Sequence, residues 1–296
     1  MQRFTFHLDW VINGQFAGLC WALAKGLYHH EGLDVRLEPW CEDGRSIVEK
    51  VLAGGICAGS SEDNLIVAAR AHGAPVRALA AMLQVTPLVL MTTAKSGIRR
   101  FADLKGRRVA LHCDGVNIFR ALLELNGLDE SDLTLCEVTH DLDNLYADRF
   151  DAVQGYAVAE PLELARRGLA TRVIPLRHHE LHPFAQMIFA ADDVVARHEV
   201  VVQRFVRATL QGWRAVADHI DEAAAVTVAV SGRSADIDLE RATIEAIVPL
   251  VLGDAGPEHI GRIDAERFAR NLRSYQRHGI IDRPMDLREV LDNKGG

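Results

Sequence analysis

The fold is decided by residues 4–38, which open Phe4-Thr5-Phe6-His7-Leu8-Asp9-Trp10-Val11-Ile12-Asn13 and close Leu33-Asp34-Val35-Arg36-Leu37-Glu38. Apolar and polar residues alternate in both of these runs, which predicts two half-buried strands. Between them, apolar residues recur at helical spacing at Phe16, Leu19, Cys20, Leu23 and Leu27. This order predicts a βαβ unit with parallel strands and a right-handed crossover.

Polar and aromatic residues follow the first strand of this unit. Ligands on parallel sheets bind beyond the carboxyl ends of the strands, so we expect Asp9, Trp10 and Asn13 to lie at a binding crevice. A tryptophan there can stack on a planar ligand, and a carboxylate can accept hydrogen bonds from ligand N–H groups. The alternative is that Trp10 is a core side chain that closes the sheet edge.

Composition places limits on the class of protein. A chain of 296 residues is longer than one hydrophobic core usually serves, which predicts two lobes. The net charge of -8 and the lack of a basic tract argue against a nucleic-acid partner. No apolar run is long enough for direct membrane insertion. The first residues do not form a signal peptide, because Phe4 already belongs to a strand. The sequence as written is therefore that of a cytoplasmic protein, or of a periplasmic or surface-anchored protein after removal of a signal.

Cysteines and histidines show no pattern of a metal site. The five cysteines are widely spaced and form no CxxC pair, as expected for free thiols in a reducing compartment. The pairs His29-His30 and His178-His179 are neighbours in sequence, and such neighbours seldom point at one metal ion. We therefore expect no metal site.

The strand–loop–helix pattern repeats along the chain in two blocks. A polar segment at Thr92-Thr93 suits a hinge, and a strand through Gln186 is expected to return to the first block. The predicted fold class is α/β, with residues 1–92 and 190–296 in lobe one, residues 93–189 in lobe two, and a ligand cleft between them. The candidate ligand-binding residues at the strand ends are Asp9, Trp10, Asn13, Ser60, Ser61, Cys113, Asp114, Gly115, Asn117, Tyr156, Glu160 and Gln186.

Several motifs, in this order and spacing, resemble those of the type II periplasmic substrate-binding proteins. They are residues 24–35 (AKGLYHHEGLDV), 101–109 (FADLKGRRV), Asp151-Ala152-Val153 with Glu160-Pro161, and the helix from Arg197 to Trp213. Leu8-Asp9-Trp10 is similar to the branch that binds thiamine-pyrimidine precursors and includes the fungal thiamine-pyrimidine synthases. The resemblance implies a small planar nitrogen-containing ligand, delivered to an ABC permease. It also implies that Trp10 stacks on the ligand ring, while Glu160 and residues 113–117 contact the ligand from lobe two.

The chain departs from the synthases at residues 60–65 (SSEDNL), which lack their pyridoxal-phosphate lysine and nearby histidine. A Schiff base needs a lysine, so we expect no cofactor and favour a binding protein over an enzyme. The alternatives are a cytoplasmic enzyme of thiamine-pyrimidine biosynthesis and a fold-related decarboxylase or desulfinase. In the last case Cys20 or Cys113 would supply the thiol with His112 as its neighbour. Adjacent strand residues point to opposite faces, so a buried, inert cysteine is the better interpretation.

Overall fold

Two five-stranded sheets form the framework of the protein in a computed structural model that describes residues 1–112, 115–137 and 142–292. The strands are β1 (Gln2–His7), β2 (Leu33–Glu38), β3 (Cys57–Ser61), β4 (Val76–Leu83), β5 (Leu88–Thr93), β6 (Arg108–Leu111), β7 (Thr134–Glu137), β8 (Ala152–Tyr156), β9 (Thr171–Pro175) and β10 (Ala185–Ala191). The first sheet has the order β2-β1-β3-β10-β4 and the second has the order β7-β6-β8-β5-β9. We call each sheet with its surrounding helices a lobe.

Helices cover the sheets and fill the chain after β10. They are α1 (Ala17–Ala24), α2 (Leu27–His30), α3 (Ile47–Leu52), α4 (Asp63–Ala71), α5 (Val116–Leu125), α6 (Asp143–Tyr146), α7 (Glu160–Arg166), α8 (Asp192–Arg197), α9 (Glu199–Asp218), α10 (Ile220–Ser231), α11 (Ile237–Leu252), α12 (Ala265–Arg277) and α13 (Leu287–Val290). Within the described ranges, every helix is too short or too polar to cross a membrane.

The predicted βαβ unit is present at the start of the chain. Strands β1 and β2 are parallel, with Phe4 opposite Val35, and the side chains of Phe4, Phe6 and Leu8 are buried as the alternation predicts. The helix between the strands differs from the expectation of one continuous element through Leu27. Gly26 has φ +70°, and this left-handed residue ends the first helical segment before α2 begins.

Close helix packing fixes α1 against α9 on the first sheet. A Cβ atom on Gly212 would lie 2.1 Å from the carbonyl oxygen of Gly18, and a Cβ on Gly18 would lie 2.4 Å from the ring of Trp213. Both positions therefore require glycine. Because Trp213 is 1% exposed, its ring is a core element that holds α1, and with it the loop after β1, in place.

Sheet membership locates the two crossings between the lobes. Strand β5 pairs with β8 and β9 in the second sheet, whereas β10 pairs with β3 and β4 in the first. The return of the strand through Gln186 to the first sheet agrees with the sequence-based expectation. The expected boundaries at 92/93 and 189/190 nevertheless cut through these two strands. We propose instead that the lobes are divided at residues 84–87 and 176–184, where the chain passes between the sheets.

Candidate functional site

A cleft between the lobes contains two adjoining cavities of about 570 and 530 Å³. Trp10, His112, Gln154 and Glu160 line both, so the cavities meet at these four side chains. We call the larger one the tryptophan cavity; it is further lined by Trp40, Ile47, Leu65, Glu62 and Tyr156, among others. We call the other the arginine cavity; it is further lined by Arg166, Arg167, Arg233, Asp236 and Glu240, among others.

Two stacked tryptophans form one wall of the tryptophan cavity. The ring centroids of Trp10 and Trp40 are 5.4 Å apart, and their planes are inclined by 26°. Trp10 follows β1 and Trp40 follows β2, and these neighbouring strands are parallel, so both rings lie at the same sheet edge. Both side chains are only partly buried. The geometry combines the two sequence-based interpretations of Trp10, since it packs on the core and also faces the cleft.

The first lobe contributes carboxylates to the tryptophan cavity. The hydroxyl of Ser60 donates to Oδ1 of Asp9 at 2.6 Å and accepts from the Asp9 backbone N–H at 3.1 Å. Ser60 is fully buried and does not line either cavity, so it orients Asp9 rather than facing a ligand. Ser61 and Glu62 do line the cavity, at the end of β3 and before α4.

A buried network behind Glu62 holds the start of α4. The carboxylate of Asp63 accepts hydrogen bonds from the Tyr275 hydroxyl at 2.6 Å and from the Phe184 N–H and the Asn271 side chain, each at 3.1 Å. Burial raises the pKa of Asp63 to about 6, although these hydrogen bonds act in the opposite direction. The network thus ties the cavity wall to α12 and to the second crossing.

The second lobe closes the cavity through Tyr156. The Tyr156 hydroxyl donates to the carboxylate of Glu62 in the first lobe, and its backbone N–H donates to Oε2 of Glu160 at 2.8 Å. Glu160 is the first residue of α7, where a carboxylate is favoured by the helix dipole. A carboxylate from each lobe therefore faces the same cavity, with one tyrosine between them.

Packing around Gln154 shapes the junction of the two cavities. Oε1 of Gln154 accepts from the backbone N–H of His112 at 3.2 Å. A Cβ atom on Gly115 would lie 2.0 Å from the same oxygen, so a larger residue at this position would displace the Gln154 amide. Neither Gly115 nor Asn117 lines either cavity, contrary to the expected ligand contact. Cys113 and Asp114 lie outside the described residues.

The arginine cavity is polar, but its cations are paired with acids. Asn13 lines it and caps the 3₁₀ turn Gly14–Phe16 by accepting from the Gln15 N–H at 3.0 Å. Arg166 of the second lobe donates to Asp236 of the first lobe at 2.6 Å. Glu240 accepts from the Gly14 N–H at 2.5 Å, and burial raises the pKa of Glu240.

The formal charge of the described cleft lining is negative. The described lining of the two cavities includes seven carboxylates and four guanidiniums. The acids are Asp9, Glu49, Glu62, Glu160, Glu163, Asp236 and Glu240, and the bases are Arg45, Arg166, Arg167 and Arg233. Such a lining favours neutral or cationic hydrogen-bond donors over anions.

Gln186, a predicted ligand contact, lies behind the cavity instead of in its lining. Its side chain is 1% exposed, and its Nε2 donates to Oε1 of Gln15 at 3.0 Å. Gln15 does line the tryptophan cavity. The backbone of Gln186 has φ +46°, an uncommon conformation for a residue other than glycine. Gln186 therefore contacts a cavity-lining residue, Gln15, through a hydrogen bond.

The alternative nucleophile Cys20 is not available for chemistry. Its side chain on α1 is fully buried, and burial raises the pKa of its thiol to about 12. This agrees with the interpretation of a buried, inert cysteine. Elsewhere, ligand atoms of His178, His179 and Glu180 lie within 4.8 Å of one another, although sequence neighbours were not expected to converge. None of these three residues lines the cleft.

The lining residues that sequence reasoning missed include Gln15, Trp40, Glu62 and Gln154. A signal existed for two of them, because Trp40 and Glu62 follow the ends of β2 and β3 as Trp10 follows β1. Gln15 and Gln154 carried no comparable signal. Gln154 lies inside β8, and its exposure to the cleft depends on the glycine opposite it.

Comparisons with known proteins agree with this architecture. A family model described as "NMT1/THI5 like" matches residues 13–223. Riboflavin-binding protein RibY of Chloroflexus aurantiacus is 23% identical over 304 residues, covering 99% of this chain and 86% of that protein. The 4-amino-5-hydroxymethyl-2-methylpyrimidine phosphate synthase of Legionella pneumophila is 27% identical over 229 residues, covering 75% of this chain and 71% of that protein. The periplasmic aliphatic sulphonate binding protein SsuA of Escherichia coli superposes with a TM-score of 0.75 at 16% identity, covering 99% of this chain and 92% of SsuA. This likeness confirms the two-lobed α/β fold of the periplasmic binding proteins.

Proposed function

The chain belongs to the NMT1/THI5-like family, and on that premise we propose that it reversibly binds a small planar, nitrogen-containing metabolite in the cleft between its lobes. The observation that carries the proposal is the tryptophan cavity, where an aromatic wall of Trp10 and Trp40 faces the carboxylates of Glu62 and Glu160. An aromatic wall provides stacking area for a flat ring. Carboxylates at the ring edge accept hydrogen bonds from amino or ring N–H groups, and such charge-assisted bonds are strong.

The ligand class follows from this arrangement of groups. An aminopyrimidine, such as a thiamine-pyrimidine precursor, offers a stacking face and an exocyclic amine to a carboxylate. The names of the two relatives point to the same class of chemistry, since riboflavin and the aminopyrimidine are both planar nitrogen heterocycles. An organic sulfonate is disfavoured because the described cleft lining is acid-rich and Arg166 is already paired with Asp236. Fold likeness to SsuA therefore does not extend to its ligand.

We propose transport as the biological setting, with this chain as the binding component of an ABC importer. Support comes from the two-lobed fold and from a cleft whose lobes are bridged by side-chain hydrogen bonds such as that from Tyr156 to Glu62. Bonds of this kind can break and re-form as a ligand enters and leaves. Enzymatic chemistry has weaker support, because the described residues lining the cleft include no lysine or cysteine that could form a covalent intermediate.

The experiment has two stages. Mass spectrometry of small molecules released by denaturing the natively purified protein identifies the class of the bound compound. Calorimetric titration then uses a panel of three probes: 4-amino-5-hydroxymethyl-2-methylpyrimidine, riboflavin and ethanesulfonate. We expect saturable 1:1 binding of at least one heterocycle and none of the sulfonate. Binding of the sulfonate, with neither heterocycle bound or released from the native protein, would refute the proposal.

A further inference from the structure

An arginine-lined pocket lies on the surface of the first lobe, on helix α12. Its volume is about 190 Å³, and its lining consists of Glu180, Arg270, Arg273, Ser274 and Arg277. None of these residues lines the ligand cleft. The pocket is therefore separate from the site on which the proposed function rests.

The helical spacing places the three arginines together. Residues 270, 273 and 277 recur at intervals of three and four, so they share one face of α12. All three side chains are exposed, whereas the opposite face buries Phe268 and Leu272. Ser274, four residues after Arg270 and three before Arg277, lies on the same side of the helix as the arginines.

The cations of the pocket exceed its acids. Glu180 is the single carboxylate among the described lining residues, and it accepts from Arg277 at 2.8 Å. The side chains of Arg270 and Arg273 make no hydrogen bond or ion pair with any residue that the structure describes. The chain as a whole has a net charge of -8, so two unpaired guanidiniums at one pocket are a local excess of positive charge. Like charges in one pocket repel each other, and an anion between them would remove that repulsion.

A second and independent observation is the hydroxyl of Ser274. The residue is 4% exposed, and its Oγ is buried without a hydrogen-bond partner in the described structure. A serine inside a helix commonly satisfies its hydroxyl on the carbonyl four residues earlier. A buried hydroxyl without a partner costs free energy unless a ligand or water supplies the bond. Ser274 is one of the residues that line the same pocket as the unpaired arginines, and its buried hydroxyl lies next to that pocket.

We propose that this pocket binds a phosphate-class oxyanion, held by Arg270 and Arg273 and accepting a hydrogen bond from the Ser274 hydroxyl. Guanidinium groups match the oxygens of such an anion in charge and in planar geometry. The same chemistry is presented by free inorganic phosphate and by a lipid phosphomonoester headgroup. The volume of about 190 Å³ is sufficient for one such group.

The test measures inorganic phosphate binding by calorimetry at constant ionic strength, with chloride as the balancing ion. Arg273→Gln should weaken binding about tenfold or more through loss of a charge-assisted bond. Ser274→Ala leaves the charge unchanged and should weaken binding by about fivefold or more. Arg197→Gln is the matched control, because this exposed arginine on α8 lies outside the pocket. Thermal midpoints show whether each variant is folded.

A parallel arm measures co-sedimentation with phosphatidylcholine vesicles that contain or lack phosphatidic acid. Saturable phosphate binding lost in the Arg273 and Ser274 variants supports a free anion. Sedimentation that needs phosphatidic acid, and is lost in the same variants, supports a headgroup. The proposal is overturned if the protein binds neither inorganic phosphate nor phosphatidic acid vesicles. It is also overturned if Arg197→Gln weakens binding as much as Arg273→Gln, or if Arg273→Gln weakens binding and Ser274→Ala does not. Phosphate binding and vesicle binding do not involve the cleft. A negative result in these assays therefore leaves the proposed heterocycle binding unaffected, and the reverse also holds.

Discussion

Replacement of Trp10 by alanine should weaken ligand binding more than it lowers the stability of the fold. If Trp10 stacks on the ligand, its loss should remove about 1–3 kcal/mol of binding free energy, taking base–aromatic stacking as the guide. This corresponds to a rise in the dissociation constant of roughly 5- to 150-fold. The effect on folding should be smaller than for a core tryptophan, because Trp10 is only partly buried.

The expected loss of stability can be estimated from its contacts. Removal of the Trp10–Trp40 stack, with centroids 5.4 Å apart, should cost about 0.5–1.5 kcal/mol beyond the lost burial. By contrast, Trp213 is 1% exposed, and truncation of such a core aromatic typically costs about 3–5 kcal/mol. Trp213→Ala therefore provides the reference for a purely structural tryptophan.

Calorimetry with the best-binding heterocycle of the probe panel and urea unfolding give the two quantities. Trp21→Ala is the matched control, since Trp21 stacks on His219 with centroids 5.5 Å apart and does not line the cleft. We expect this control to lose stability and keep its affinity. If Trp10→Ala is destabilised as strongly as Trp213→Ala while the folded protein binds as tightly as wild type, Trp10 is a structural residue and the stacking argument fails.

Three further outcomes are expected. Glu160→Gln should weaken heterocycle binding by roughly 1–3 kcal/mol in calorimetry, through loss of a charge-assisted bond, and the exposed Glu245→Gln should not; equal affinities would remove Glu160 from the site. The folded-state pKa of Asp63 is raised to about 6 from 3.8, so its stabilising contribution is complete below the unfolded value and is lost as pH rises through 6. Urea unfolding of wild type, compared with Asp63→Asn, should show a relative loss on the order of 3 kcal/mol across that window, and a flat difference would refute it. After incubation with pyridoxal phosphate and reduction with borohydride, we expect no pyridoxyl-lysine that borders the cleft, and one found there by mass spectrometry would show that the cofactor binds.

Local sequence patterns were sufficient to predict those strands that bury one face and expose the other. The alternation through Phe4, Phe6 and Leu8 predicted β1, and the second alternating run predicted a parallel neighbour. The rule for strand ends then placed Asp9 and Trp10 at the cleft, where both line the tryptophan cavity. These inferences depend on periodicity and chain direction, which a single sequence contains.

Pairing between distant segments was not accessible in the same way. Residues 88–93 read as an apolar strand in either lobe, and their place in the second sheet is set by antiparallel pairing with β8 and β9. Whether a side chain faces the cleft also depends on its neighbours. Ser60 was expected to face a ligand, but the Asp9 carboxylate lies 2.6 Å from its hydroxyl and takes its hydrogen bond.

The fold and the ligand class depend on different residues. The fold places loops after β1, β2 and β3 at one edge of the first sheet, and any sequence with these strands would bring three loops to the cleft. The ligand class depends on what those loops carry, which here is a tryptophan pair followed by the carboxylate of Glu62. Tyr156 extends this arrangement across the cleft, since its hydroxyl donates to Glu62 while its backbone N–H donates to Glu160. A ligand amine that enters between the lobes would compete with that hydroxyl for the Glu62 carboxylate. Under the proposed function, ligand selection and one of the contacts between the lobes therefore depend on the same acceptor.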